Sequence, residues 1–341
     1  MAHTGNPRAR ASPDLPWKTR LLMSALSFAV DVSCRRNITF NRNFFNLFDI
    51  KCSASNQPKN GVKSSDFVID GSRNLWFRLY TPTNVTETAT TISLPVIVYF
   101  HGGGFVLLAA NSKGFDDYCR RLAGEIPAVV ISVNYRLAPE HRYPCQYEDG
   151  IDVLKFIDNE ISKIEDFPAC ADLKRCFVAG DSAGGNLAHN VAVRANECNF
   201  SKLKLIGVIA IQPFFGGEER TESETRLVGA PLVSMERTDW MWKAFLPEGS
   251  NRNHPATNAF GPNAVDISGV NIPATIVVVG GFDPLQDWQK RHYEGLKKCG
   301  KEAYLIEYPN AVHGFYFFPE LPEGSLLIND VKEFIQNQSA K

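Results

Sequence analysis

The sequence lacks several features that mark common functional classes. Its eight cysteines form no C-x-x-C pair and no metal-like spacing, so neither a metal nor an organic cofactor is predicted. No basic cluster stands out and the formal net charge is −1, so nucleic acid and anionic membranes are not expected partners. No internal repeat is present. We interpret the cysteines as reduced thiols of a cytoplasmic protein, with the nucleus as an alternative location.

Long apolar runs are also missing near the N-terminus. The apolar segment 21–30, preceded by Lys18 and Arg20, is too short to span a bilayer. It could serve as the core of a signal peptide, but no small-x-small cleavage pattern follows it. A signal peptide therefore stays the less favoured alternative. Residues 1–16, rich in Pro, Ala and Arg, are predicted to be disordered.

Hydrophobic residues make up 44% of the sequence, which is enough to form a large buried sheet. Strand-like segments alternate with helical patterns, which is typical of βαβ units. We predict an α/β fold with a mainly parallel eight-stranded sheet and helices on both faces. The expected strands are 66–70, 75–80, 96–100, 129–134, 176–179, 206–211, 275–279 and 303–308, and the clearest helices are 147–161, 186–196 and 287–299, with Gly300 as a C-cap residue.

The most informative motif is Gly180-Asp181-Ser182-Ala183-Gly184. An apolar, β-prone segment precedes it, and a segment with helical spacing follows. A strand, G-x-S-x-G and a helix in that order predict a nucleophile elbow, whose sharp turn exposes the Ser182 hydroxyl. The backbone N–H of Ala183, at the helix start, is then free to face a developing oxyanion. We expect Asp181 to stabilise the turn.

A glycine-rich loop supplies the other half of an oxyanion hole. His101-Gly102-Gly103-Gly104 follows the apolar run 96–100, so the glycines lie at a strand end, where their backbone can approach a substrate closely. Gly102, Gly103 and Gly104 are therefore predicted to line the oxyanion hole with Ala183. An ordinary glycine turn is the alternative, and the elbow downstream disfavours it.

One of the seven histidines is well placed as the base that Ser182 requires. His313 follows the strand-like segment 303–308 and a short loop, and Gly314 succeeds it. The other histidines lie in the ragged terminus, in loops or within helices. We therefore predict that His313 activates Ser182.

Two aspartates compete for the role of the carboxylate that orients His313. Asp283 follows strand 275–279, at the edge where catalytic groups of open α/β sheets gather. Asp287, four residues on, is the rival, which we interpret as a helix N-terminal residue favoured by the helix dipole. The chain order Ser182, Asp283, His313 is that of α/β-hydrolases.

Four motifs together resemble the plant carboxylesterases of the hormone-sensitive-lipase-like group. They are H-G-G-G at 101–104, G-D-S-A-G-G at 180–185, D-x-L-x-D at 283–287 and H-G-F at 313–315. The resemblance runs from about Trp17 to the C-terminus. It implies an α/β-hydrolase core over 61–341, with a cap-like insertion around 216–262, and an N-terminal helical lid over 17–60.

Within that group the chain is most similar to the gibberellin receptors, which are themselves esterase-derived. The receptors resemble enzymes that lost the catalytic histidine and carry H-G-G-S, whereas this chain has His313 and Gly104. Positions that contact hormone in the receptors also differ, at Phe115, Thr238 and Met241. Since a lost charge-assisted hydrogen bond costs about 1.5–3 kcal/mol, hormone binding of receptor strength is disfavoured.

The sequence therefore predicts a serine carboxylesterase that acts on carboxylic esters of small apolar or aromatic compounds. Phe115, Met241, Phe315 and Tyr316 are the expected pocket residues. The partner is a small-molecule ester, and a protein partner at the lid is not predicted. Two alternatives remain: a receptor-like protein that binds a small ligand without turnover, and a lyase or cyclase that keeps the same pocket.

Overall fold

The computed structural model describes residues 11–83 and 93–341, so most of the predicted disorder over 1–16 lies outside the described residues. One sheet of eight strands has the order β1-β2-β4-β3-β5-β6-β7-β8. β2 is antiparallel to β1 and β4, and every other neighbouring pair is parallel. The strands are Val62–Asp70 (β1), Leu75–Pro82 (β2), Leu94–Phe100 (β3), Val129–Asn134 (β4), Ala171–Asp181 (β5), Leu205–Ile211 (β6), Ala274–Phe282 (β7) and Ala303–Val312 (β8).

Helices follow most of the strands and cover the sheet. They are Trp17–Ser33 (α1), Arg42–Phe45 (α2), Lys113–Glu125 (α3), Cys145–Asn159 (α4), Ala183–Arg194 (α5), Glu222–Arg226 (α6), Met235–Phe245 (α7), Gln286–Lys298 (α8) and Glu323–Ser339 (α9). None of the helices in the described ranges is long and apolar enough to cross a membrane.

The predicted fold class is confirmed, and each predicted strand lies within an observed one. The strand ends differ most at β5, which begins five residues before the apolar run. The predicted helices match α4, α5 and α8 to within three residues. Gly300 has φ of 70°, and the N–H of Lys301 donates to the Leu296 carbonyl at 3.0 Å, which is the hydrogen bond that closes a glycine-terminated helix.

The centre of the sheet is apolar on both faces because helices pack on both. All seven residues of β3 and all six of β4 are buried. Successive side chains of a strand point to opposite faces, so Val96 and Val98 pack with α4 and α5. Ile97 and Tyr99 pack with α3 and α9 on the other face.

The N-terminal helix is joined to α7, within the region 216–262. The Arg237 guanidinium on α7 donates to both carboxylate oxygens of Asp31 on α1, at 2.6 and 2.8 Å. The Trp240 indole N–H donates to the Arg35 carbonyl at 2.8 Å. Residues 216–262, all of them described, contain two helices and no strand.

Candidate active site

Ser182 lies in the turn between β5 and α5, in a backbone conformation that few side chains adopt. Its φ is 52° and its ψ is −118°. The turn is held by the sheet, since the Ser182 N–H donates to the Ile211 carbonyl at 2.9 Å and its carbonyl accepts from the Phe214 N–H at 2.8 Å. The hydroxyl does not cap the helix that follows. The serine is therefore fixed by its backbone, with its side chain free of the turn.

The glycines on either side are required by the close approach of neighbouring backbone. A Cβ on Gly184 would lie 1.8 Å from the Phe100 carbonyl oxygen. A Cβ on Gly180 would lie 2.3 Å from the Gly184 carbonyl. These spacings pack the elbow directly against the end of β3, and they bring Ser182 close to the glycine loop at 102–104.

His313 and Asp283 lie side by side at the carboxyl ends of β8 and β7. The imidazole Nδ1 is 2.7 Å from Asp283 Oδ2, which requires Nδ1 to carry the proton that the carboxylate accepts. Asp283 is fully buried, and its other oxygen accepts from the Leu285 N–H at 2.9 Å. With Nδ1 engaged, Nε2 is the nitrogen of His313 left for a reacting group.

The rival carboxylate has a different partner. Asp287 Oδ2 accepts from the backbone N–H of Ser223 at 2.8 Å, and the residue lies in the first turn of α8. It therefore joins α6 to α8, while Asp283 is the carboxylate hydrogen-bonded to His313.

Charges around His313 set its basicity. Burial alone would lower the pKa of the imidazole, but the negative charge and hydrogen bond of Asp283, with a further contribution from Asp181, raise it above its ordinary value. By contrast, burial lowers the pKa of His101 to about 3, and its ring stacks on Tyr135 with centroids 4.3 Å apart. His101 thus stays neutral and supports its loop.

The glycine loop departs from the prediction at one residue. The N–H of Gly102 donates to Asp181 Oδ1 at 2.9 Å, so the expectation that Gly102 faces an oxyanion is wrong. Gly103 and Gly104 have φ of 109° and 59°, and no described residue accepts a hydrogen bond from either N–H. The N–H of Ala183, at the first position of α5, has no acceptor within its helix. The N–H groups of Gly103, Gly104 and Ala183 are therefore free to donate hydrogen bonds to a bound group.

Asp181 has a role in this arrangement that the sequence does not reveal. Besides the N–H of Gly102, the hydroxyls of Tyr99 and Tyr316 donate to its carboxylate, at 2.7 and 2.8 Å. Burial raises the pKa of Asp181 to about 6, although these hydrogen bonds oppose that increase. The residue joins the serine turn to the glycine loop across 79 positions of sequence, a separation that no local pattern indicates.

The predicted pocket residues divide into two groups. Phe315, Tyr316 and Phe115 are 0–2% exposed and pack within one core cluster, so their role as pocket residues stays a prediction. Met241 does face the glycine loop, because a Cβ on Gly104 would lie 2.1 Å from its sulfur.

The thioether of Met241 therefore occupies the space over Gly104 in this structure. A separate cavity of about 800 Å³ lies between α8 and the loop before β7, where Phe215, Phe260 and Trp288 line it. None of the predicted site residues borders that cavity, so its size carries no argument about the serine.

Comparison with known proteins decides the family. A family model described as an alpha/beta hydrolase fold matches residues 97–317, and a carboxylesterase family model matches residues 48–139. The chain belongs to the α/β-hydrolase fold family. This α/β-hydrolase resembles two kinds of curated relative. It is 44% identical to the gibberellin receptor GID1C of Arabidopsis thaliana, with 94% of each chain covered.

Carboxylesterases form the second kind of relative. The α/β-hydrolase is 37% identical to carboxylesterase 20 of Arabidopsis thaliana, over 79% of this chain and 84% of the relative. Among solved structures, an esterase of Pyrobaculum calidifontis has a TM-score of 0.69 at 27% identity, covering 96% of this chain and 95% of the other. The family matches, the carboxylesterase relatives and the esterase structures assign the chain to the carboxylic ester hydrolases.

Proposed function

We propose that this α/β-hydrolase is a serine carboxylesterase in which Ser182 is the nucleophile, His313 the base and Asp283 the residue that orients it. The observation that carries the proposal is the 2.7 Å hydrogen bond between His313 and a fully buried Asp283. In the neutral imidazole that bond keeps the proton on Nδ1 and leaves the lone pair on Nε2, which is the tautomer a general base needs. The substrates are carboxylic esters of small apolar or aromatic compounds.

The reaction proceeds through an acyl-enzyme. Ser182 Oγ attacks the ester carbonyl carbon while its proton passes to His313 Nε2, and the carbonyl electron pair moves to oxygen as an oxyanion. When the oxyanion collapses, the bond to the alcohol oxygen breaks and that oxygen takes the proton from His313. Water then repeats the sequence on the acyl-enzyme and releases the carboxylic acid.

Backbone N–H groups stabilise the oxyanion. Those of Gly103, Gly104 and Ala183 are the donors in this proposal, each worth about 2.7–4 kcal/mol in the transition state. They act without reorganisation, because Gly103 also accepts hydrogen bonds from Val106 and Leu107 at 3.0 Å, which fix the loop.

Access to the serine is controlled from above the glycine loop. We assign residues 17–60 as a helical lid and 216–262 as an insertion in a core that spans 61–341. The ion pair between Asp31 and Arg237 supports this assignment, since it joins the two segments. Met241 lies on the same helix as Arg237 and packs on Gly104, so it limits the acyl group that can enter.

The location that we propose is the cytoplasm. All eight cysteines are free thiols in the structure, which fits a reducing compartment. The catalytic groups named above complete the reaction with side chains and backbone alone.

A receptor-like protein without turnover is the second candidate function, because the curated gibberellin receptors are up to 44% identical to this chain. The test is hydrolysis of p-nitrophenyl acetate and butyrate by the purified protein and by Ser182→Ala and His313→Ala. Each substitution should lower kcat on the order of 10⁶-fold, with little further loss in the double variant. His141→Ala, an exposed histidine in a turn, is the matched control and should keep full activity.

The outcomes separate the candidates. Turnover that disappears in both site variants and persists in His141→Ala supports the esterase. A folded protein that hydrolyses neither ester but binds a gibberellin tightly would establish the receptor-like function instead. Consumption of an ester without release of acid would indicate a lyase or cyclase.

A further inference from the structure

Gln212 lies immediately after β6, directly behind the pair formed by His313 and Asp283. It is fully buried and has a φ of 42°, which is uncommon for a residue with a side chain. Its backbone N–H donates to the Val278 carbonyl at 2.9 Å, so the unusual conformation is fixed by β7. The conformation directs the side-chain amide towards the loop that carries His313.

The amide of Gln212 contacts the peptide groups on both sides of His313. Its Nε2 donates to the Val312 carbonyl at 3.2 Å, and its Oε1 accepts from the Gly314 N–H at 2.8 Å. This is the donor-and-acceptor pairing that a neighbouring strand would make, supplied here by a side chain. The backbone at His313 is thereby held from the residue before it to the residue after it.

The same amide also contacts the carboxylate. Nε2 of Gln212 lies 3.2 Å from Asp283 Oδ2, the oxygen that accepts from His313. Gln289 donates to that oxygen as well, at 2.8 Å. Apart from His313, no basic side chain of the described residues forms an ion pair with Asp283, so neutral amides supply the other side-chain hydrogen bonds to its buried charge.

There is little room for this group to move. A Cβ on Gly280 would lie 2.5 Å from Nε2 of Gln212, so the backbone of β7 is in close contact with the amide. A side chain this confined has one conformation, and it fixes the relative position of the base and its carboxylate.

We propose that Gln212 is a positioning residue, which aligns His313 with Asp283 by binding both peptide groups that flank the histidine and the carboxylate itself. The inference rests on the proposed function for its effect on turnover. The alignment of His313 with Asp283 does not depend on the proposed function, because it can be measured without a substrate.

The decisive variant is Gln212→Leu, which keeps the approximate size of the side chain and removes all three polar contacts. Two readouts separate positioning from general stability. The first is the division between kcat and KM for p-nitrophenyl butyrate: kcat should fall about 10- to 100-fold with KM within twofold of the parent. The second is the far-downfield proton resonance of His313 Nδ1–H, which should broaden or disappear in the folded variant.

Gln146→Leu is the matched control. Gln146 is a fully buried glutamine whose Nε2 donates to the His141 carbonyl at 2.6 Å, remote in the fold from His313. Its loss should lower the unfolding midpoint while leaving kcat and the Nδ1–H resonance unchanged. Should Gln212→Leu not fold, Gln212→Glu serves instead, since it keeps the acceptor for Gly314 and replaces the donor.

A parent protein without esterase activity that still shows the His313 resonance would end the proposed function and leave the role of Gln212 to be decided by the resonance alone. Normal kcat together with an unchanged resonance in Gln212→Leu, or in Gln212→Glu, would overturn the role of Gln212. Equal loss of kcat in Gln146→Leu would also overturn it, because the effect would then be one of stability.

Discussion

Replacing Asp181 by asparagine should change how the stability of the fold depends on pH. The side chain is 2% exposed, and its carboxylate accepts from Tyr99, Tyr316 and Gly102. Burial raises its pKa from 3.8 to about 6, so the folded state retains a proton on Asp181 at pH values where the unfolded chain has lost it. Asparagine keeps the shape and removes this titration.

The sign follows from that difference. A carboxyl whose pKa is higher in the folded state stabilises the fold most under acidic conditions, and the contribution is lost as the pH rises through about 6. With pKa values of 3.8 and about 6, it amounts to roughly 1.4 kcal/mol at pH 5 and to nearly zero at pH 8. Wild type should therefore lose about 1.4 kcal/mol relative to Asp181→Asn between these pH values.

Urea denaturation of both proteins at pH 5, 6, 7 and 8 measures this difference. Asp158→Asn is the control, because Asp158 is equally buried but accepts backbone hydrogen bonds from residues 201–203 that lower its pKa. Asp158 is ionised in both the folded and the unfolded state across this pH range, so the difference in unfolding free energy between wild type and Asp158→Asn should stay constant. The reasoning would be refuted if the difference in unfolding free energy between wild type and Asp181→Asn did not change with pH, or grew with pH in favour of wild type.

Three further predictions concern the same chain. Asp283→Asn should lower kcat on the order of 10⁴-fold and move the acid limb of kcat/KM to lower pH, because the charge that raises the pKa of His313 is gone. Asp287→Asn should retain most activity, and the reverse ranking of the two variants in a pH–rate series would exchange their roles. Met241→Ala should raise kcat/KM for hexanoate esters relative to acetate esters by about fourfold for each methylene that fills the vacated space over Gly104. An unchanged chain-length preference would show that this methionine does not limit the acyl site. Burial lowers the pKa of His292 well below its ordinary 6.5, so its neutral form stabilises the fold above pH 6.5 and this stability is lost as the pH falls. His292→Phe should therefore make the decline in unfolding free energy between pH 7.5 and 5.5 shallower in urea titrations, and an equally steep decline in the variant would contradict this.

The parts of the molecule that local sequence patterns encode were predictable. The strands follow from apolar runs such as 96–100, and the turn at Ser182 follows from glycines that no larger residue could replace. His313 could be singled out because it follows the last strand of the sheet. Its partner Asp283 could be ranked above Asp287 from its place at a strand end alone.

The contacts that sequence patterns could not supply are those between distant segments. The N–H of Gly102 is taken by Asp181, and this pairing depends on how β3 and β5 lie side by side. Tyr316 follows the H-G-F motif and was expected in the pocket, but its hydroxyl donates to Asp181 instead. Composition marks such a residue as apolar and bulky, and only packing decides which side of the sheet it faces.

The position of β8 at the edge of the sheet makes the proposed base depend on the outermost strand. Ser182 follows a central strand, whereas His313 follows β8, which pairs only with β7. In the proposed mechanism, a chain with β3, β5 and β6 assembled but without β8 would have the serine turn and the glycine loop and would lack the base. The appearance of turnover during refolding would therefore report docking of the last strand, independently of any spectroscopic signal from the sheet.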